Sequence, residues 1–512
     1  MAVIITAMGW WQPTPGEVVE WHPVRATEAT AGSVCADDGP ITFLQENHLR
    51  SGHAARAAGR AHSAYLGSGT ELDGELDVAA MSMALDEFVA RHDALRTWFG
   101  HDGNGIRRHV IDPEAVAFEA VVGPGLDTAA DVTDHLAERF AEEAIADSFP
   151  GFAFGAIRHA DGFSLYIGCD HAISDGASQA LALAEIVSIY ETVLAEAPGA
   201  PRPAGGFSSY ARVDAAVAAA AADADSSLAE VVREWQNVFA ANGNRMPGFP
   251  IDLGLAPGET APVRPVEMTL LTADDADEFG RICRAAGGNT LAGVYAALAM
   301  VDHELAGQEA YFGMSVLNTR GAVEDCDTAQ GWFCAFAPVA FAVARATPFT
   351  ELVADARTAL ARTRTMATVP VQTALTALVA GGMPVDEVVN APNLLSYIDF
   401  RWFPGAGTAA YDRGVLFTGE GRTANASLWV NRDSDRLYLG SQTPDTPAAR
   451  HRLDIYFSRL RAVLADVVAG GDRRVGPFDP SALDSTAGTA PEPTAGTAPG
   501  TTAGTARAVS AA

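Results

Sequence analysis

Lysine is absent from this chain; every basic residue apart from histidine is an arginine. Lys and Arg together number 34 against 64 acidic residues, a formal net charge of -30 at pH 7. A nucleic-acid binder carries a basic footprint, and this balance argues against one. It argues equally against an anionic membrane surface as the main partner. An anionic ligand would have to be met by a local arginine cluster. The abundance of alanine beside missing lysine fits a GC-rich coding sequence better than a functional demand. Cysteine is scarce as well. Cys35, Cys169, Cys283, Cys326 and Cys334 are scattered, odd in number and without metal-ligand spacing. No disulfide frame and no metal site are expected, which fits a reducing compartment. Met1 to Trp11 lacks the basic region and long apolar core of a signal peptide, and no apolar run reads as a bilayer span. The expected setting is cytoplasmic and the expected state monomeric.

What is present is length and apolar content. The chain has 512 residues, 48% of them hydrophobic, enough for a large core and two or more domains. The stretch richest in chemistry is Cys169-Asp170-His171-Ala172-Ile173-Ser174-Asp175-Gly176. An apolar alternating run from Phe163 to Gly168 predicts a strand before it, and Ala177 to Leu194 predicts a helix after it. A strand-to-helix turn exposes an imidazole, and Gly176 is expected to let the backbone bend at the helix start. Neutral imidazole is the usual general base near neutral pH, so His171 is the candidate base. Asp175 reads as a carboxylate turned inward to lock the turn, which requires a buried cation as partner. Nothing beside Cys169 suggests a lowered thiol pKa or a nucleophile.

The organisation along the chain follows from periodicity and breakers. Residues 1–40 read as an N-terminal arm packed by its aromatics. Residues 41–195 form a first lobe, opening on a helix from Thr42 with Gln45 at the capping-box position. Val78 to Ala94 reads as a helix with Met81 and Met83 in the core. Asp161-Gly162 predicts a hairpin between Phe152–Arg158 and Phe163–Gly168. Residues 196–262 are a linker with one long helix, Tyr210 to Ala240. Residues 263–480 form a second lobe, including a strand from Ala310 to Asn318. From residue 481 to 512 the chain falls into copies of Thr-Ala-Gly-Thr-Ala, which offer no packing surface and predict a disordered tail.

Taken in order, these stretches resemble the condensation-domain superfamily. Arg91-His92-Asp93-Ala94-Leu95-Arg96-Thr97-Trp98-Phe99 is similar to its Arg-His-Glu-x-Leu-Arg-Thr-x-Phe motif. Thr42-Phe43-Leu44-Gln45 resembles its opening helix, and Gln330-Gly331-Trp332-Phe333 sits where it carries a Gly-x-Phe segment. Trp10 to His22, Ile111-Asp112-Pro113 and Leu428 to Arg432 sit well with the mycobacterial polyketide-associated type that acylates trehalose glycolipids. Two departures stand out. The family's paired His is here Asp170-His171, and Asp170, Asp175 and Ser178 also fit the pattern of heterocyclization domains. Asp399-Phe400-Arg401-Trp402 only partly echoes the plant enzymes' motif.

The resemblance implies an α/β (α+β) fold of two chloramphenicol-acetyltransferase-like lobes in a V around a central tunnel. It implies an acyltransferase that moves an acyl group from an acyl carrier protein, a polyketide synthase or coenzyme A to a hydroxyl of a sugar, glycolipid or polyketide-type acceptor. The thioester would be a co-substrate, with no bound cofactor and no metal. His171 would be the base and Asp175 would pair with Arg320 of the second lobe; the oxyanion donor is not set by the motifs, and the Gly176 amide is the candidate for it. Asp170, Ser174, Trp332 and Phe333 are candidate tunnel-lining residues, while His92 and Arg96 are expected to pack and hydrogen-bond. Two alternatives stay open: a free-standing peptide-type condensation enzyme using a carrier-bound amine, and a non-catalytic carrier-docking module.

Overall fold

The computed structural model describes residues 4–102, 105–200, 202–203, 205–223, 225–389 and 392–484. The repeats after residue 484, where a disordered tail is expected, lie outside the described residues.

Two seven-stranded mixed sheets carry the molecule, each faced by helices. In the first sheet the order is Ile4–Ala7, Val415–Thr418, Tyr65–Asp73, Gly162–Asp170, Phe152–His159, Glu17–Pro23 and Phe118–Gly125. Gly162–Asp170 is buried along its whole length. Phe163, Leu165, Ile167 and Cys169 face the core under helices Val78–Arg91 and Gly176–Leu194. Tyr166 faces the other way, against Val132, Leu136 and Phe140 of helix Ala129–Glu143. The period of two thus serves two apolar layers, which is why the strand reads as nearly continuous apolar sequence.

The second sheet runs Cys334–Ala342, Ala310–Asn318, Leu394–Asp399, Leu428–Arg432, Arg436–Pro444, Ala261–Thr272 and Arg422–Thr423. Helices Ala273–Ala285, Thr290–Ala306, Phe349–Met366 and Pro447–Gly470 build the larger core on it.

Several expectations are corrected here. Residues 1–40 are no mere arm: Glu17–Pro23 pairs with Phe118–Gly125 and Phe152–His159, burying Val18, Val19 and Trp21 in the first lobe. The boundary at residue 263 is crossed, because Val415–Thr418 lies in the first sheet, paired with Tyr65–Asp73. The long helix from Tyr210 is two, Phe207–Ala221 and Leu228–Ala241, broken near Ser226 and Ser227. Met81 is buried but Met83 is 60% exposed, since it falls on the outer face of its helix. Gly176–Leu194 is long and apolar enough to cross a membrane by composition. Its apolarity is used in the core, where Ala182, Leu183 and Ile186 pack.

The Arg91-to-Phe99 motif is a clamp. Arg91 Nε and His92 Nε2 both reach Glu185, at 2.8 and 3.0 Å. Asp93 accepts from the Phe207 and Ser208 amides at 2.9 and 2.8 Å, supplying from afar the cap that Gly206 cannot give helix Phe207–Ala221. A Cβ on Gly206 would lie 2.5 Å from Asp93 Oδ1, so glycine is required for this approach. Arg96 donates to the Ile111 carbonyl at 2.5 Å.

Asp302 of the second lobe is buried and, among the described residues, has one side-chain partner, the Tyr456 hydroxyl at 2.6 Å. Burial, which outweighs that hydrogen bond, pushes its pKa from 3.8 up to about 7. Between those values the folded protein holds a proton that the unfolded chain has lost, so stability falls as pH rises through this window. The full effect is roughly 4 kcal/mol. Chemical denaturation of Asp302→Asn at pH 5 and pH 8 should show that slope flattened, with the variant the more stable protein at pH 8.

Candidate active site

The strand Gly162–Asp170 ends in one turn of 3-10 helix, His171–Ile173, before helix Gly176–Leu194 begins. Asp175 is the N-cap: its Oδ1 accepts from the Ser178 amide at 2.7 Å. A cap fixes where a helix starts, so it also fixes the turn in front of it.

His171 is held from both ends of that turn. Its backbone amide donates to the Ala64 carbonyl at 3.1 Å, and its Nδ1 lies 2.9 Å from the Ser174 carbonyl. A carbonyl only accepts, so Nδ1 carries the hydrogen and Nε2 of the neutral ring keeps its lone pair. Burial and, next, the neighbouring His48 hold the His171 pKa below its ordinary 6.5, while Asp175 and the Ser174 carbonyl oppose them more weakly. The indole of Trp332 lies 4.1 Å from the imidazole, ring centre to ring centre.

Asp175 binds more than its own helix. Arg320 forks onto it, Nη2 to Oδ1 at 2.9 Å and Nη1 to Oδ2 at 3.1 Å. The Phe333 amide donates to Oδ2 at 2.9 Å. Arg320 Nη2 also reaches Ser178 Oγ at 2.7 Å, its Nε donates to the Ala329 carbonyl at 3.0 Å, and its guanidinium lies over the Phe333 ring. Both members of the pair are buried. Burial alone would raise the Asp175 pKa; the Arg320 charge and hydrogen bonds overcome it and hold the carboxyl below 3.8. The pair joins the turn of the first lobe to the loop that follows Ala310–Asn318 in the second.

Asp170 is buried, and its carboxylate is committed to partners within the protein. Its Oδ1 accepts from His48 Nε2 and the Ala172 amide, both at 2.7 Å, and its Oδ2 accepts from the Ala146 amide at 3.1 Å. His62 Nε2 stands 3.5 Å away on the other side. Burial pushes its pKa up, but the His48 bond, then the charges of His48 and His62, bring it below 3.8. Ser174 is also withdrawn, its hydroxyl taken by Gln179 Nε2 at 2.8 Å. Phe333 is fully buried against Phe207 and Tyr210. Among the four candidate lining residues, Trp332 borders a cavity described below.

Gly176 is not the bend that was expected, because its φ is not in the left-handed region. A Cβ there would meet nothing closer than Ile398 Cδ1 at 3.9 Å. Its absence leaves open space at the helix start, where the first-turn amides have no partner within the helix. Cys169 is inert as a nucleophile, since burial pushes its thiol up to about 12.

Sequence reasoning missed His48 and His62, and gave Gln45 only half its work. Gln45 Oε1 closes the capping box with the Thr42 amide at 3.2 Å, while its Nε2 donates to the Ala172 carbonyl at 2.8 Å. His48 follows three residues later on the same face of helix Phe43–Ala57. The signal was available: a buried Asp170 needs partners as much as Asp175 does.

Two cavities flank these groups. One, of about 620 Å³, is mainly apolar and is bordered by Phe43, Leu44, Val213, Leu317, Leu360 and Trp332. The other, of about 680 Å³, is more polar and is bordered by Arg60, His62, Ser63, Tyr65, Glu420 and Arg422.

Comparison with known proteins places this arrangement. A family model described as the condensation domain matches residues 55–378. The chain is 30% identical over 487 residues to 2'-acyl-2-O-sulfo-trehalose (hydroxy)phthioceranyltransferase PapA1 of Mycobacterium tuberculosis, covering 93% of this chain and 91% of that protein. It is 26% identical to trehalose-2-sulfate acyltransferase PapA2 of Mycobacterium bovis over 467 residues, 90% of this chain and 96% of the relative. The solved structure of a PapA2 acyl transferase superposes with a TM-score of 0.80 at 24% identity, over 91% of this chain and all of that one. The two-lobe fold implied by the sequence motifs is thus the fold observed.

Proposed function

The chain belongs to the condensation-domain family and is an acyltransferase, and from that premise we propose that it transfers an acyl group from a thioester to a hydroxyl of a sugar or glycolipid, with His171 as general base. The carrying observation is the orientation of His171: Nδ1 is committed to the Ser174 carbonyl, so Nε2 is the atom left to take a proton. The acceptor hydroxyl gives its proton to Nε2 as its oxygen attacks the thioester carbon. The tetrahedral oxyanion then collapses, the C–S bond breaks, and the imidazolium returns the proton to the leaving thiolate. No acyl-enzyme is needed, and the buried Cys169 is not drawn on. The Gly176 amide is the proposed oxyanion donor. The thioester is a co-substrate presented on the phosphopantetheine arm of an acyl carrier protein or on coenzyme A.

The acceptor class rests on the relatives, whose names specify sulfated trehalose or its acylated form. The cavity chemistry agrees with a split between substrates: the apolar space beside Trp332 suits an acyl chain, and the space beside His62 and Tyr65 suits a polar acceptor. Incubating the purified protein with acyl-carrier and acyl-coenzyme A thioesters, and with trehalose, a simple alcohol or an amine, tests this by mass spectrometry. An ester product is expected. Exclusive amide formation would overturn the hydroxyl reading, and turnover from neither thioester would overturn the donor.

A further inference from the structure

Where the family pattern has its first histidine, this chain carries Asp170, and the carboxylate is not idle. Two backbone amides, Ala172 at 2.7 Å and Ala146 at 3.1 Å, fix it in place. It in turn fixes His48, whose Nε2 donates to Oδ1 at 2.7 Å. The arrangement matches the orienting half of a carboxylate–imidazole pair, in which an acid sets the tautomer and aim of a ring whose second nitrogen is used elsewhere. That second nitrogen, Nδ1 of His48, makes no hydrogen bond to the protein among the described residues. The ring is not in the core: it stands edge-on to Trp332 at 5.7 Å and to His171 at 6.1 Å, between ring centres. Its helix starts at the apolar cavity, which Phe43 and Leu44 border, and reaches the polar one at Ala55.

We propose that His48, oriented by Asp170, binds a second hydroxyl of the acceptor beside the one that reacts at His171, so that the site selects polyols over simple alcohols. The inference rests on the hydroxyl-acceptor reading above and adds a specificity residue to it. Hydrogen bonds of about 2.8 Å let two neighbouring hydroxyls of one ring bridge imidazoles whose centres are 6.1 Å apart. A hydroxyl both donates and accepts, so it suits Nδ1 in either protonation state of the ring. An oriented polar group left unpaired by a poorer substrate discriminates more strongly than apolar contact does.

The test uses the whole chain, an acyl N-acetylcysteamine thioester, and two acceptors, trans-cyclohexane-1,2-diol and cyclohexanol. Wild type should prefer the diol in kcat/KM. In His48→Leu that preference should fall about ten-fold, mostly through KM for the diol, the loss of one hydrogen bond to an oriented group. His48→Gln, which can still span Asp170 and a hydroxyl, should recover most of it. A variant that slows both acceptors equally would overturn the inference, since His48 would then be supporting the turn and not reading the acceptor. An unchanged ratio, or a wild type without preference, would overturn it as well. Should His48→Leu fail to fold, His48→Gln and His48→Asn carry the comparison: the shorter Asn must lose the preference that Gln keeps, and equal ratios would overturn the proposal. Wild type that esterifies neither acceptor would remove the hydroxyl reading itself, and this inference with it.

Discussion

Replacing His171 by alanine should lower turnover by about 10²–10⁴-fold, the usual worth of a general base, while the melting temperature moves little. The lost contacts are modest: one side-chain hydrogen bond to the Ser174 carbonyl and the tilted contact with Trp332, at a ring that is partly exposed. The turn itself is held by other groups, including Gln45 on the Ala172 carbonyl and Asp170 on the Ala172 amide. Kinetics and stability should therefore separate. The wild-type pH profile adds a second readout. Burial and His48 depress the His171 pKa, so the acid limb of kcat/KM should lie below 6.5. In His171→Ala that limb should vanish from the residual rate. Equal turnover by variant and wild type would remove His171 as the base.

Asp175→Ala should do the reverse, lowering stability and activity together. Removing one member of a buried ion pair leaves the other charged and unpaired, at a cost of about 3–5 kcal/mol. Arg320→Ala strands the carboxylate in the same way, so each single loss should be of similar size. The double variant leaves no orphan charge and should cost clearly less than the sum. Denaturant titrations of the four proteins measure that coupling, and strict additivity would dissolve the pair. The wild-type contribution should hold at every pH above the ordinary carboxylate value of 3.8 and fade only below it, because the folded carboxyl is held lower still. Activity should follow stability, since Asp175 caps the helix that positions the His171 turn and binds the Phe333 amide next to Trp332. If turnover falls while the melting temperature stays, Asp175 acts on His171 directly.

Local chemistry carried much of this in the sequence itself. The strand, turn and helix around His171 follow from period, break and cap within some thirty residues, and the Thr42–Gln45 capping box is written in two side chains. The strand Ala310–Asn318 is found at the bounds its alternation suggests. What stayed hidden is long-range. Four residues, Val415 to Thr418, hold nothing that says they pair with Gly69 to Leu66 of another lobe. Glu17–Pro23 buries the adjacent Val18 and Val19 in different cores and so shows no clean alternation, and with its neighbouring prolines and exposed tryptophan Trp10 it reads as an irregular arm. Asp170 was legible as an oddity and illegible as a hub, because its imidazole partners arrive from over a hundred residues earlier in the chain. Gly176 was misjudged in kind: its backbone is ordinary, and a Cβ there would meet only Ile398 Cδ1, at 3.9 Å.

The strand Val415–Thr418, seated between Ile4–Ala7 and Tyr65–Asp73, has a consequence for how the protein is made. Emerging from the ribosome, the first lobe has most of its sheet early, but the gap between its first strand and Tyr65–Asp73 stays open until well over half of the second lobe has been synthesised. Until then Tyr65–Asp73 is an unpaired edge, able to template pairing with other chains. Phe417, which packs with Trp11 and Phe140 in the finished lobe, arrives last, so the apolar face it covers waits with that edge. Closing such a contact late adds sequence separation to the rate-limiting topology. The two lobes consequently mature as one unit and not in succession, and a fragment ending at residue 378, where the family match ends, would carry an incomplete first sheet.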